Sequence, residues 1–590
     1  MAISLSSFLL ACALPLLASV MASATVVERS LYIQNVTLNH LCRDQPVIAA
    51  NGSVPGPTIS VHEGDTLVVH VINQSPYNIS IHWHGIFQVF SGWADGAEYV
   101  TQCPIQPGHR YTYKFNITGQ EGTLWWHAHS SWLRATVYGA LIIYPRSNPF
   151  KLLPYPFATP YEEVPILLGE WWNADVVEVL NAGIAIGKTP NMSDALTING
   201  QVGDLYDCSE TDIYKLKVVP GKTYLLRIIN AGLNHQLFFK IVSHTLTVVA
   251  IDAAYTNQYV TDVVVTAPGQ TTDVLFTSNQ PVGSYYIAVY PYHSVPRVMP
   301  FKETTTTGII DYEGSTSTTP VKMVLPSFYD TPTANKFYTS LTGMSGGPHW
   351  VPVPPHVDKH MFVTVGLNIY PCNLGNATCA GPLGQKMSAS MNNYSFVLPN
   401  TLSMLQAFFY GVSGIYTTDF PDHPPFKYDY TNLSISYKES LLVAPKGTHV
   451  KKLNYNDVVQ IVLQNTAILE YENHPIHLHG YNFHVLAQGF GNYNASRDRK
   501  KFNFVNPQIR NTIGVPSGGW AVIRFRANNP GIWLMHCHLD RHMPVGFAMA
   551  FEVENGPTPS STLPPPPKDL PKCFGDDLNS SEPRQSISFS

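Results

Sequence analysis

Short runs of alternating apolar and polar residues recur along the chain, each closed by glycine, proline, asparagine or aspartate. Thr66-Leu67-Val68-Val69-His70-Val71-Ile72-Asn73 is one such run. A period of two puts every second side chain on one face, so these runs predict half-buried strands. Turn residues at regular spacing between them predict an all-β chain of sandwich type, not a helical one.

The strand pattern itself repeats. A turn, an alternating strand and an Asn-bearing connection run from Gly64-Asp65-Thr66 through Val71-Ile72-Asn73 to His82-Trp83-His84-Gly85. The same block spans Gly221-Lys222-Thr223 through Ile228-Ile229-Asn230, ending near Lys240, and Asn456-Asp457 through Leu463-Gln464-Asn465 to His477-Leu478-His479-Gly480. A second block follows each, opening at Pro107-Gly108, Pro268-Gly269 and Pro516-Ser517. It closes on Leu124-Trp125-Trp126-His127, Ser284-Tyr285-Tyr286-Ile287 and Ile532-Trp533-Leu534-Met535-His536. Three copies of one Greek-key β-sandwich account for this economically. The expected division is 25–147, 160–314 and 355–573, with a leader at 1–24 and a tail at 574–590. The middle copy carries Tyr285, Ile287 and Val289 where the others carry histidines. It is therefore expected to be a spacer or wall without metal ligands.

Composition narrows the class. A chain of 590 residues is too long for one core. Only 13% of residues are charged and the net charge is −5, which gives no reason to expect nucleic acid or an anionic membrane as partner. The apolar run from Phe8 to Val20, followed by Ala22-Ser23-Ala24, reads as a secretory signal peptide, and no stretch is long enough to span a membrane. Sequons at Asn35, Asn78, Asn116, Asn376, Asn432 and Asn494 agree with export and N-glycosylation. Apart from Cys12 in the leader and Cys537 between two histidines, Cys42, Cys103, Cys208, Cys372, Cys379 and Cys573 form an even set. They could make three disulfides, and the sequence alone permits fifteen pairings.

The histidines carry the chemistry. With 23 histidines in 590 residues, chance supplies about one His-x-His pair. This chain has four: His82/His84, His127/His129, His477/His479 and His536/His538. In a strand, residues i and i+2 face one side, so each pair offers two imidazoles to one point. A lone pair is more often a hydrogen-bonded core or surface feature. Four pairs at matching places in two copies of one repeat point to a metal cluster. Cys537 adds a thiolate, with His474 and His542 in the flanking motifs, and a His₂Cys set is the donor pattern of blue copper. A structural zinc site would be closed by four ligands, and a single thiolate excludes an iron–sulfur cluster.

His82-Trp83-His84-Gly85, Trp126-His127-Ala128-His129, His474-Pro475-Ile476-His477-Leu478-His479-Gly480 and His536-Cys537-His538-Leu539-Asp540-Arg541-His542 resemble the four copper motifs of multicopper oxidases, in order and over nearly the whole mature chain. The resemblance is greatest to plant laccases, including Val54-Pro55-Gly56-Pro57-Thr58 and Gln102-Cys103-Pro104-Ile105. It implies three cupredoxin-like domains and four copper ions. His474, Cys537 and His542 would hold type 1 copper, and His82 and His477 type 2. His84, His127 and His538 would hold one type 3 ion, and His129, His479 and His536 the other. The implied disulfides are Cys103–Cys573, Cys42–Cys208 and Cys372–Cys379.

The same resemblance puts Phe547, ten residues after the cysteine, at the axial position of type 1 copper. Phenylalanine cannot ligate, which is expected to raise the reduction potential. Phe547 also reads as plain core, and the two readings are compatible. Asp95, in Trp93-Ala94-Asp95-Gly96, resembles the acid kept near type 2 copper, with an exposed turn aspartate as the bland alternative. Asp540 is a second acidic candidate. The implied activity is oxidation of phenols such as monolignols with O2 as acceptor, by a secreted monomer in the apoplast or cell wall. The alternatives are an ascorbate oxidase or other multicopper oxidase, or a copper-free wall protein.

Overall fold

The computed structural model describes residues 24–573 apart from 147–152, 210, 295–302, 318, 374–377, 436–437 and 470–471. The expected leader (save residue 24), the tail and Asn376 lie outside the described residues. Among those described, no helix is long and apolar enough to cross a membrane.

The strands form three successive two-sheet sandwiches. In the first, Arg43–Ala50, Val26–His40, Thr66–Asn73 and Arg110–Asn116 make one sheet. Ile59–His62, Tyr138–Tyr144, Gly122–Ala128 and Ile81–His84 make the other. The second and third sandwiches each pair a six-stranded sheet with a five-stranded one. The repeated strands Thr66–Asn73, Thr223–Asn230 and Val458–Asn465 occupy the same place in each, paired antiparallel to Arg110–Asn116, Thr271–Thr277 and Gly519–Arg526. The expected all-β, cupredoxin-like fold is what the chain adopts.

Alternation explains the cores. Thr66–Asn73 buries Leu67, Val69, Val71 and Asn73 and turns its other residues outward. The histidine-bearing strands break that rule: Ile81–His84, Gly122–Ala128, His474–Leu478 and Gly531–Cys537 are buried on both faces. One face packs into its own sandwich and the other meets a neighbouring domain. Fully buried Trp83, Trp125, Trp126 and Trp533 flank the histidines. Trp125 Nε1 donates to Gly269 O and Trp533 Nε1 to Asn529 O, so these large rings lock the strands that carry the ligands.

Three disulfides join Cys42 to Cys208, Cys103 to Cys573 and Cys372 to Cys379. The first ties the first sandwich to the second. The second returns the C-terminal segment to the first sandwich. Cys537 is buried and free.

Candidate metal centre

Register brings the histidine pairs together. Ile81–His84 and Gly122–Ala128 run antiparallel with His82 opposite His127. His474–Leu478 and Gly531–Cys537 do the same with His477 opposite His536. His129, His479 and His538 sit just past the ends of their strands, where the chain turns at the sandwich edge. A glycine follows two of the motifs for a steric reason. Gly85 has φ +85° and a Cβ there would lie 2.4 Å from Asn511 Nδ2; Gly480 has φ +74° and its Cβ would lie 2.3 Å from the Trp533 ring.

Eight imidazoles from the first and third sandwiches thus meet at one interface. Ring centroids of His82 lie 4.0 Å from His479 and 5.4 Å from His127, and those of His84 and His477 are 3.8 Å apart. Seven of the eight are buried; His129 is half-buried. Most are aimed by a hydrogen bond on the outer nitrogen. Nδ1 of His82, His127, His477 and His536 each donates to a backbone carbonyl, of Asp95, Ala128, Asn511 and Cys537 respectively, at 2.7–2.9 Å. His479 Nδ1 donates to Asp95 Oδ2 at 3.0 Å. A carbonyl or carboxylate can only accept, so the proton sits on Nδ1 and the Nε2 lone pair faces inward. His84 is turned round: Nε2 contacts Asn511 Oδ1 and Thr512 Oγ1, both at 3.1 Å, leaving Nδ1 inward.

These inward atoms fit a metal. Nε2 of His82, His127 and His477 is buried without a hydrogen-bond partner. His479 Nε2 faces His536 Nε2 at 3.2 Å, and His538 Nε2 faces His84 Nδ1 at 3.2 Å. Two lone pairs so placed repel unless a cation lies between them, and two bonds of roughly 2.0 Å at a tetrahedral angle give an N···N distance of about 3.3 Å. Burial, then neighbouring charge, holds His84, His127, His129, His477, His479 and His538 well below the usual histidine value. His536 is pushed down to about 3, chiefly by burial. Neutral imidazole is the metal-binding form.

Among the described residues of this cluster, donor atoms all within 4.8 Å of one another form the triads His82/His84/His127, His82/His477/His479 and His129/His479/His536. The last is one of the sets the family resemblance implies. The other two cut across the implied sets, because His82 stands centrally and its ring lies within 5.7 Å of His84, His127, His129, His477 and His479. His538 joins this group through His84, with its ring 5.5 Å from that of His127.

A separate triad is built around the cysteine. Cys537 Sγ lies 3.8 Å from His474 Nδ1 and 3.6 Å from His542 Nδ1, all buried. Burial pushes the thiol up and pushes His474 down to about 3, so the thiolate a metal needs forms only with a cation bound. Phe547 is fully buried with its ring 4.7 Å from that of His474, and its carbonyl accepts from Cys537 N–H. Met549 lies two residues on, in the strand Ala548–Val553, opposite Met535.

Asp95 is fully buried, not an exposed turn residue. Its Oδ2 holds His479, and its Oδ1 lies 3.4 Å from His82 Nδ1. Asp540 Oδ1 is 3.2 Å from Arg134, and burial pushes its carboxyl up to about 6 while Arg134 opposes the rise. Sequence reasoning missed Asn511 and Thr512, which hold His84 and His477 from an unremarkable strand boundary. It also missed Glu472, whose Oε2 lies 3.5 Å from His542 Nε2 and whose Oε1 pairs with Arg541. Gly269 of the middle sandwich is a fourth. It has φ +93°, and a Cβ there would meet the His538 and His84 rings at 3.0 and 3.1 Å. Only its place in the repeat, Pro268-Gly269, could have drawn attention to it.

Cupredoxin-like sandwiches carrying this histidine and cysteine set define a copper oxidase. Residues 32–148, 162–315 and 419–557 each match the family described as multicopper oxidase. Laccase-7 of Arabidopsis thaliana is 59% identical over 96% of this chain and 99% of its own length; Laccase-9 of the same plant is 53% identical over 95% of each. The solved laccase of Botrytis aclada superposes with a TM-score of 0.69 at 28% identity, over 93% of this chain and 90% of that one. The chain belongs to the multicopper oxidase family, among the plant laccases. It is a laccase-type oxidoreductase with copper as cofactor, arranged in the family's manner as one type 1 ion, one type 2 ion and a type 3 pair.

Two outcomes follow. Asp95→Asn removes the charge that aims His479, and copper retained against a chelator should fall ~10–100-fold in affinity. Unchanged retention would remove Asp95 from the site. The second concerns acid. Nine histidines of the two sites (84, 127, 129, 474, 477, 479, 536, 538 and 542) lie below their ordinary value of 6.5 in the folded chain, chiefly through burial. The unfolded chain therefore binds more protons below pH 6.5, and stability is lost as pH falls from there. Asp540 and Glu98, pushed up to about 6 and about 7, pull the other way but are outnumbered. The thermal midpoint of metal-free protein should drop between pH 7 and 4; a constant midpoint contradicts this.

Proposed function

We propose that this laccase takes single electrons from small phenols, monolignols and other lignin-related compounds among them, and delivers them to dioxygen outside the cell. In this reading His474, Cys537 and His542 hold type 1 copper, and His82 and His477 hold type 2. His84, His127 and His538 hold one type 3 ion, and His129, His479 and His536 the other. Bound copper supplies the one-electron steps and the four-electron reduction of dioxygen to water.

The observation that carries the reading is the placement of Cys537. Its thiol faces His474 and His542, while its neighbours in the chain, His536 and His538, both lie in the eight-histidine cluster. Electrons can pass between the two sites through two peptide segments without leaving the chain. Phe547 presents an apolar ring, not a weak ligand, beside the cysteine triad, which favours a high potential there. Asp95 and Asp540 are the acids beside the cluster from which oxygen reduction draws protons. Asp540 keeps 14% of its side chain in contact with solvent.

Export rests on the leader, on disulfides that suit an oxidising compartment, and on exposed sequon asparagines at 35, 78, 116 and 494. With these go N-glycosylation, a monomeric state, and division into domains at 25–147, 160–314 and 355–573.

Purified protein should be intensely blue and hold about four coppers. It should oxidise coniferyl alcohol or syringaldazine in preference to ascorbate. A colourless protein that takes up no copper overturns the oxidase reading, and equal or better turnover of ascorbate overturns the phenol reading. Phe547→Met should lower the potential at which the blue band bleaches in a redox titration. An unchanged potential would mean that Phe547 is core alone.

A further inference from the structure

Arg134 is a charged side chain with only 2% exposure, a burial such groups take only when paired. It lies in the short turn Leu133–Ala135 of the first sandwich, just after the His127/His129 pair. From there it reaches all three sandwiches. Nη2 donates to the carbonyls of Gly232 and Leu233 of the middle sandwich at 3.3 and 3.4 Å, and to the carbonyl of His538 in the third at 3.0 Å. Nη1 lies 3.0 Å from His538 Nδ1, 3.4 Å from its Nε2 and 3.2 Å from Asp540 Oδ1.

The surroundings hold these partners in place. Asp540 N–H donates to Leu233 O, and Asp540 O accepts from Trp132 Nε1, both at 3.0 Å. Glu170 accepts the N–H groups of Leu233 and Asn234 at 2.9 and 3.1 Å, fixing the loop whose carbonyls receive Arg134. His538 alone among the eight histidines has an arginine against its ring, with Nη1 within 3.4 Å of both ring nitrogens; five of the others have a carbonyl or carboxylate at the outer nitrogen.

We propose that Arg134 is a positioning residue for electron transfer, pinning the ring and the carbonyl of His538 together so that the Cys537-to-His538 link keeps one geometry. This rests on the laccase reading above. The transfer makes and breaks no bond: one electron leaves the reduced type 1 site and arrives at the oxidised cluster, with phenol as reductant and dioxygen as final oxidant. The guanidinium suits the task because it is one rigid plane, so the ring it packs against and the carbonyl it donates to are held by the same body. An ammonium carries the charge without the fork.

The test compares copper-loaded wild type, Arg134→Met and Arg134→Lys. The type 1 site is reduced rapidly without oxygen, and the return of the blue band is timed. The electron paramagnetic resonance of the type 3 pair, silent when its two ions are coupled, is recorded alongside. Arg134→Met should keep the blue band but return it ~10–100-fold more slowly, with a new resonance from the uncoupled pair; Arg134→Lys should also be slowed. A methionine variant with wild-type transfer and a silent pair overturns the proposal, even if it melts at lower temperature, because Arg134 would then be an interdomain clamp alone. If that variant does not fold, Arg134→Lys decides, and a wild-type rate there overturns it. A colourless wild type would sink the laccase reading and this role with it. A blue wild type beside an unaffected variant sinks only the role of Arg134.

Discussion

Gathering eight imidazoles at a domain interface away from water is the constraint on which the rest of the structure depends. Each ring must lose solvent on both nitrogens, and an unpaired buried polar atom costs about 1–3 kcal/mol. The chain meets this cost on the outer side with protein partners. Backbone carbonyls of Asp95, Ala128, Asn511 and Cys537, and the Asp95 carboxylate, take the outer protons. The inner lone pairs are left converging, and a metal is the partner that satisfies them. The strands are buried on both faces because each must pack its own core and also present ligands to another domain.

Among the described residues the middle sandwich contributes to none of the donor triads, yet it shapes the site. Its equivalent strands oppose Phe239 to Val289 and Ile241 to Ile287, so that place in the repeat is filled with core. What it contributes is mostly backbone: Gly269 pressed against His84 and His538, the Gly232 and Leu233 carbonyls that receive Arg134, and Gln270 holding Thr512 O. Asp252 adds a carboxylate 3.4 Å from Thr512 N. A wall made largely of backbone approaches rings more closely than one made of side chains, which is why a glycine stands at the contact.

Cys537 and its two histidines compress the distance between the sites to one residue on each side. Such a link works only if the histidines do not drift, and the packing supplies that rigidity. His536 is held through the Cys537 carbonyl and by its ladder opposite His477, while His538 is held by Arg134. Phe547 and the surrounding apolar residues keep the cysteine end dry.

The all-β architecture, the three repeated sandwiches and the histidine pairs and cysteine that the fold brings together were all legible in the sequence. Each depends on local periodicity or on residues close together in the chain: a period of two marks a strand, and His-x-His marks a shared face. The disulfide pairing was not legible from spacing, which left fifteen possibilities; family resemblance supplied it. Asp95 was legible as a candidate but not as a buried residue between two ligands, since its neighbour His479 lies 384 positions away. Arg134, Glu472, Asn511 and Thr512 carry no motif, and Gly269 only its place in the repeat, because each acts through contacts with segments remote in sequence. Which ring stands nearest which was also decided only by the tertiary structure, since the two sandwiches set the positions of eight histidines independently and packing alone brings them into one cluster.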